Sequence, residues 1–197
     1  GAWVEFEYDA KNHLYVRLDR KKKFLATVFL RAMGYGADED ILRIFHKVYR
    51  VTPENGKLYW DLAPGIVGRT LAEDVEDPKG KGVLYHAKKK ITEEIYAKLK
   101  DLGLSRVAVD RKDLQNAYAL SGLKGKVKGN EEIGDTALDL LIGKNEPFEV
   151  FFPSEDEAGP LVVNTLKRDL KKDTNAALAE IYRKLRPGEP HTMDSAQ

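Results

Sequence analysis

The chain has no cysteine among its 197 residues. That absence removes disulfide frameworks, cysteine-ligated metal sites and thiol nucleophiles together. Net charge is also nearly absent, since 33 Lys plus Arg stand against 32 Asp plus Glu. The overall balance therefore carries no nucleic-acid signature, and any such signature has to be local. Apolar runs fall far short of the roughly 20 residues a membrane helix needs. No signal-peptide pattern opens the chain, so a cytoplasmic protein without membrane contact is expected. His13, His46, His86 and His191 have no paired spacing of the kind a metal requires. The glycines around Gly122 and Gly125 meet neither the P-loop nor the dinucleotide fingerprint and read as a loop. Asp38, Glu39 and Asp40 are better explained by a helix N-terminus than by a cation site. No Ser/His/Asp signature occurs. No catalytic group, metal site or cofactor is expected.

What is present is pattern. Val4, Phe6 and Tyr8 alternate with Glu5 and Glu7, and Leu14, Val16 and Leu18 alternate with Tyr15, Arg17 and Asp19. A period of two on both sides of the turn-like stretch 9–12 predicts a β-hairpin with Val4, Phe6, Tyr8, Leu14, Val16 and Leu18 on its apolar face. Trp3 then falls on the polar face, beside the row that ends in Arg17 and Asp19. A short helix is predicted over 25–33, closed by Gly34. Asp38 is expected to cap a second helix with Ile41, Leu42, Ile44, Phe45 and Val48 as its buried stripe. Strands are predicted over 49–52 and 57–62, around turn residues 53–56.

From about Gly68 the texture changes, with Gly, Asp and Lys punctuating short apolar runs. A strand at 83–86 precedes a helix over 91–102 ended by Gly103 and a strand at 106–109. A helix-then-strand order returns at 136–142 and 148–152, a weak pseudo-repeat rather than a solenoid. Residues 154–159 read as an acidic loop. Asp173 or Thr174 caps a last helix with stripe Ala177, Leu178, Ile181, Tyr182 and Leu185, stopped at Pro187 and Gly188. The expected fold class is α+β: a small mixed domain of a β-hairpin and short helices, residues 1–47 plus 154–197, interrupted by an inserted α+β domain, residues 48–153. Both ends of the chain fit an excerpt from a longer polypeptide.

Three features can touch nucleic acid, and each has a plain structural alternative. The run Arg20-Lys21-Lys22-Lys23 can lie along phosphates or form a solvated charge cluster. Trp3 on a polar strand face can stack on an unpaired base or lie under a neighbouring element. Arg186 can project toward a phosphate or a base, or compensate a helix dipole.

Three segments carry a family resemblance: Gly1-Ala-Trp-Val-Glu-Phe-Glu-Tyr-Asp9; Leu14-Tyr-Val-Arg-Leu-Asp-Arg-Lys-Lys-Lys23 with Leu30-Arg-Ala-Met-Gly-Tyr35; and Ala179-Glu-Ile-Tyr-Arg-Lys-Leu-Arg-Pro-Gly-Glu-Pro190. In order and separation they resemble the bacterial RNA polymerase β subunit. The middle, about 48–153, looks like that family's variable external insertion and matches more loosely. The resemblance implies that the outer body is the β lobe, a wall of the cleft holding downstream DNA. The tryptophan matching Trp3 stacks there on a non-template base, and the aspartate matching Asp19 lies in the same contact region. The arginine matching Arg186 approaches the non-template strand, and Arg20 and Lys21 are expected at phosphates. Implied partners are non-template and downstream DNA, the rest of β with β′ and α, σ factor, and regulators on the insertion. Nucleotidyl transfer would belong to the assembled enzyme, because the magnesium site, nucleotide-binding residues and rifampicin pocket lie elsewhere in that family. Leu25 departs from the family's frequent proline, which affects the strand-to-helix turn. The alternative reading is a module serving mainly to dock transcription factors. An independent small-molecule enzyme would need a convergent polar pocket that no spacing announces.

Overall fold

A computed structural model describes residues 3–20, 22–123, 127–156 and 159–185. The chain divides into two compact units, 1–46 with 153–197, and 47–152.

In the first unit, β1 (Val4–Tyr8), β2 (Leu14–Leu18) and β3 (Lys22–Leu25) form an antiparallel meander in that order. Asp9 builds the first turn. Its Oδ1 accepts from the main-chain N–H of Lys11 and of His13, both at 2.9 Å, while Asn12 takes φ 59°. These donors, His13 first, hold the Asp9 carboxyl below its ordinary range. The predicted hairpin is present, with Phe6 opposite Val16 so that the two apolar rows share one face. Its apolar face is only partly covered. Val16 is buried and Leu14 and Leu18 are half-buried, but Val4, Phe6 and Tyr8 are exposed. The physical reason is reach: the main helix packing on this sheet is against β2 and β3, which leaves β1 as an overhanging edge.

Helix α1 (Ala26–Ala32) follows β3 directly, and α2 (Asp38–Phe45) follows Gly34, whose φ of 113° ends α1. Ala37, not Asp38, is the N-cap of α2, because Asp38 already lies in the first turn, where its carboxylate meets Arg31. Ile41 and Leu42 are buried as expected, but Ile44 is exposed and Val48 belongs to the next strand. Two further helices carry the unit's C-terminal half. The notable correction to the sequence reading lies here: beyond a 3-10 turn at Pro153–Glu155, residues Gly159–Arg168 form a helix that the acidic-loop reading left out. After the intervening helices of the second unit, described below, it is the fifth of the chain, and Thr174–Leu185 is the sixth. The sixth helix is capped by Asp173 Oδ1, which accepts from Ala176 N–H at 2.8 Å. Its stripe is buried at Ala177 and Tyr182, while Leu185 is exposed.

Arg31 is the polar centre of this unit. Its side chain is fully buried, with Nε donating to Asp169 Oδ2 at 2.9 Å and the other nitrogens donating at 2.6 Å to the Gly36 carbonyl and to Asp38. Burial disfavours the charge, but the two carboxylates outweigh it and raise the guanidinium pKa. Thr165 Oγ1 accepts from Leu14 N–H at 2.7 Å, which pins β2 to the Gly159–Arg168 helix.

The second unit is built on a five-stranded antiparallel sheet. Its hairpin is β4 (Val48–Glu54) and β5 (Lys57–Asp61), turned at Asn55-Gly56 with φ of 50° and 77°. The small strands β6 (Val75–Glu76) and β7 (Val83–Tyr85) pair separately. Helix α3 (Glu93–Asp101), capped by Thr92, leads into β8 (Arg106–Ala108). The short β9 (Tyr118–Ala119) comes next, and α4 (Asp135–Gly143) leads into β10 (Phe148–Phe151). With these in place the Gly159–Arg168 helix is α5 and Thr174–Leu185 is α6. The order β8-β5-β4-β10-β9 places the two helix-then-strand segments on opposite sides of the hairpin. Pro53 is a buried strand residue, not a turn residue. It is tolerated there because β10 pairs with β4 only as far as Val51, so no ladder partner needs its missing N–H. The core packs Tyr49, Trp60 and Phe152 together, with the Arg69 guanidinium 4.3 Å from the Phe152 ring centre.

Candidate nucleic-acid interface

The hairpin register sets Trp3 opposite Asp19 at the open end of β1 and β2. Trp3 N–H donates to Asp19 Oδ1 at 2.9 Å, and Asp19 N–H donates back to the Trp3 carbonyl at 2.9 Å. This double clasp fixes the backbone from which the indole projects, and the residue is 61% exposed. An indole held by its own backbone and left in solvent is a surface that a flat apolar ring can cover.

Asp19 and Arg20 both adopt left-handed backbone, φ 49° and 58°. The Arg20 guanidinium comes to 5.2 Å from the Trp3 ring centre, and its Nε lies 3.5 Å from Glu5 Oε1. Glu5 was not among the residues singled out from sequence. Its signal was parity, since it sits two residues from Trp3 on the same strand face. Further along that face Arg17 donates to Glu7 at 2.8 Å, and Lys23 approaches Glu7 at 3.9 Å and the Tyr15 ring at 4.1 Å. The basic run is thus partly answered by the chain's own carboxylates. Such exposed pairs are each worth only about 0–1 kcal/mol, so they orient side chains more than they stabilise the fold.

Of the expected contact residues, the structure brings Trp3, Asp19 and Arg20 together. Lys21 and Arg186 lie outside the described residues. The described histidines are dispersed: His13 pairs with Asp9, His46 with Asp156 and His86 with Asp74, while His191 lies outside the described residues. Among the described residues no group of three or more His, Cys, Asp or Glu is placed to hold a metal. No described helix is long and apolar enough to cross a membrane. A cleft of about 320 Å³ in the first unit is lined by Tyr15, Phe24, Lys171 and Glu180 among others, and neither Trp3 nor Arg20 borders it. The Trp3 platform is open surface, not a pocket.

No family model matches the chain. Curated relatives match it from end to end. One from Koribacter versatilis is 43% identical over 210 residues, and one from Solibacter usitatus is 41% identical over 204. One from Sorangium cellulosum is 32% identical over 209. All three are named DNA-directed RNA polymerase subunit beta. The chain spans about 14% of the first two and 15% of the third. The chain is therefore homologous, over its whole length, to one segment of the DNA-directed RNA polymerase β subunit.

Proposed function

We propose that the first unit is a lobe of the polymerase β subunit that flanks downstream DNA, with Trp3 as the platform for one unpaired non-template base. The observation that carries this reading is the clasped, exposed indole of Trp3. Stacking on such a ring contributes about 1–3 kcal/mol per base, indifferent to sequence. Arg20, Lys21 and Arg186 add screened attraction to phosphates. The role is positional: the nucleotidyl transfer belongs to the assembled enzyme, together with β′, α and σ. The isolated chain, having few such contacts, binds DNA weakly with a shallow dependence on salt.

The second unit is an insertion for accessory or regulator contacts. Its first and last strands pair with each other, Val48 opposite Phe151. Polymerase lacking residues 47–152, rejoined by a short linker, should keep basal transcription and change its response to regulators. Loss of basal activity would argue against an accessory role.

The base contact is tested in polymerase assembled with full-length β subunit and 2-aminopurine at successive non-template positions. Trp3→Ala should unquench one position and shorten the open-complex lifetime, by about 5- to 150-fold for 1–3 kcal/mol. Unchanged fluorescence at every position, with an unchanged lifetime, would overturn the reading.

A further inference from the structure

We infer that Arg20, steered by Glu5, is a lid on one face of the Trp3 indole, so that the site accepts a single base on the remaining face. This rests on the base-stacking reading above and adds to it a positioning residue and a physical reason for the limit of one base.

Two consecutive non-glycine residues in left-handed backbone are costly. Here the positions are Asp19 and Arg20, and each side chain has a use in the same site. Asp19 accepts from the Trp3 backbone at 2.9 Å. Arg20 is turned back over the ring, its guanidinium carbon 5.2 Å from the ring centre and within cation–π range. Glu5 supplies the direction, because its carboxylate lies 3.5 Å from Arg20 Nε on the side of the strand that carries Trp3. The side chains of Arg20 and Glu5 are 70% and 46% exposed, so the pair is a weak contributor to stability. What it changes is where the guanidinium rests. With one face occupied by a cation and most of the residue still exposed, the indole has room for one stacked partner, not for intercalation between two.

The lid is read in the chain itself, without DNA. Trp3 and Trp60 are its two tryptophans, and Trp60, 1% exposed, should be shielded from acrylamide. Arg20→Ala should raise the Stern–Volmer constant of the accessible tryptophan about twofold, as one of two faces is uncovered. Glu5→Gln should raise it in the same direction by less, and Arg20→Lys should restore most of the protection. Arg20→Gly relieves the left-handed strain, so it should fold at least as stably while quenching like the alanine variant. Quenching unchanged in the alanine, glycine and glutamine variants overturns the lid. The base stoichiometry is read in assembled polymerase, where Trp3→Ala first establishes which 2-aminopurine position stacks. Arg20→Ala should then quench a second, adjacent position. Quenching at the original position alone overturns the single-base consequence. A null result for Trp3→Ala sinks the base-stacking reading and the stoichiometry with it, while the acrylamide result still decides the lid.

Discussion

Removing the Asp169 carboxylate should damage the first unit more than removing any exposed ion-pair partner. Arg31 is fully buried, and Asp169 is the one of its two carboxylate partners that is buried as well. Deleting one member of such a pair costs about 3–5 kcal/mol, because the surviving charge stays in a poorly solvated site. Asp38 and the Gly36 carbonyl remain on the guanidinium, which places Asp169→Ala near the low end, about 3 kcal/mol. Asp169 Oδ1 also accepts from Lys171 N–H, so the turn into α6 loosens at the same time. Asp38 is 34% exposed, and its alanine variant should lose about 1 kcal/mol. With a urea slope of about 1.5 kcal/mol per molar, a 3 kcal/mol loss moves the midpoint by about 2 M. Urea titration followed by Trp3 fluorescence in a Trp60→Phe background isolates the transition of this unit. The double variant Arg31→Met, Asp169→Leu should be more stable than Asp169→Ala, since it removes the orphaned charge, and should stop short of the parent because Lys171 N–H, the Gly36 carbonyl and Asp38 lose these partners. An Asp169→Ala midpoint equal to that of Asp38→Ala, or a double variant no better than the single, would refute this account.

Three further outcomes follow from packing and charge elsewhere in the chain. Burial pushes the Glu180 carboxyl up, but Arg183, Lys171 and Lys184 together hold it below its ordinary value of 4.5. Its contribution is therefore complete above that value and fades as pH falls through the lowered one, so the stability gap between parent and Glu180→Gln should be open at neutral pH and closed in acid. A Cβ on Gly65 would lie 2.0–2.3 Å from the Tyr49 ring, so Gly65→Ala should lower the second unit's stability by about 1–3 kcal/mol while leaving the first unit's transition in place. Phe6→Ser should fall within about 0.5 kcal/mol of the parent, whereas Leu42→Ala, at a fully buried position, should lose about 2–5 kcal/mol, both by urea titration.

Periodicity made most of the elements legible because short strands and helices in this chain bury one face each. The β1–β2 hairpin, α1, α3, β8, α4, β10 and α6 all lie where the apolar spacing puts them. The helix α5 had a signal too: Pro160 near its start and Val162, Val163 and Leu166 at helical spacing, all three buried. The acidic residues before it drew the reading toward a loop. Pro53 misled for a related reason. Proline marks a turn only where strand hydrogen bonding would need its N–H, and which neighbour pairs with that stretch of β4 is a tertiary fact.

The site divides along the same line. That Trp3 and Asp19 meet follows from alternation plus register, both local, and the reciprocal bonds between them need nothing more. That Arg20 folds onto the indole does not follow from alternation, because two left-handed residues break the strand geometry on which alternation depends. Overestimating burial on β1 had a comparable origin. Alternation names the side of a sheet on which Val4, Phe6 and Tyr8 lie, but burial also needs a layer wide enough to cover them. Here the main helix packing lies over β2 and β3. An apolar face with an uncovered edge and a polar face with an uncovered tryptophan are thus two consequences of one placement: β1 is an edge strand of its sheet, clasped at Asp19 and paired with β2.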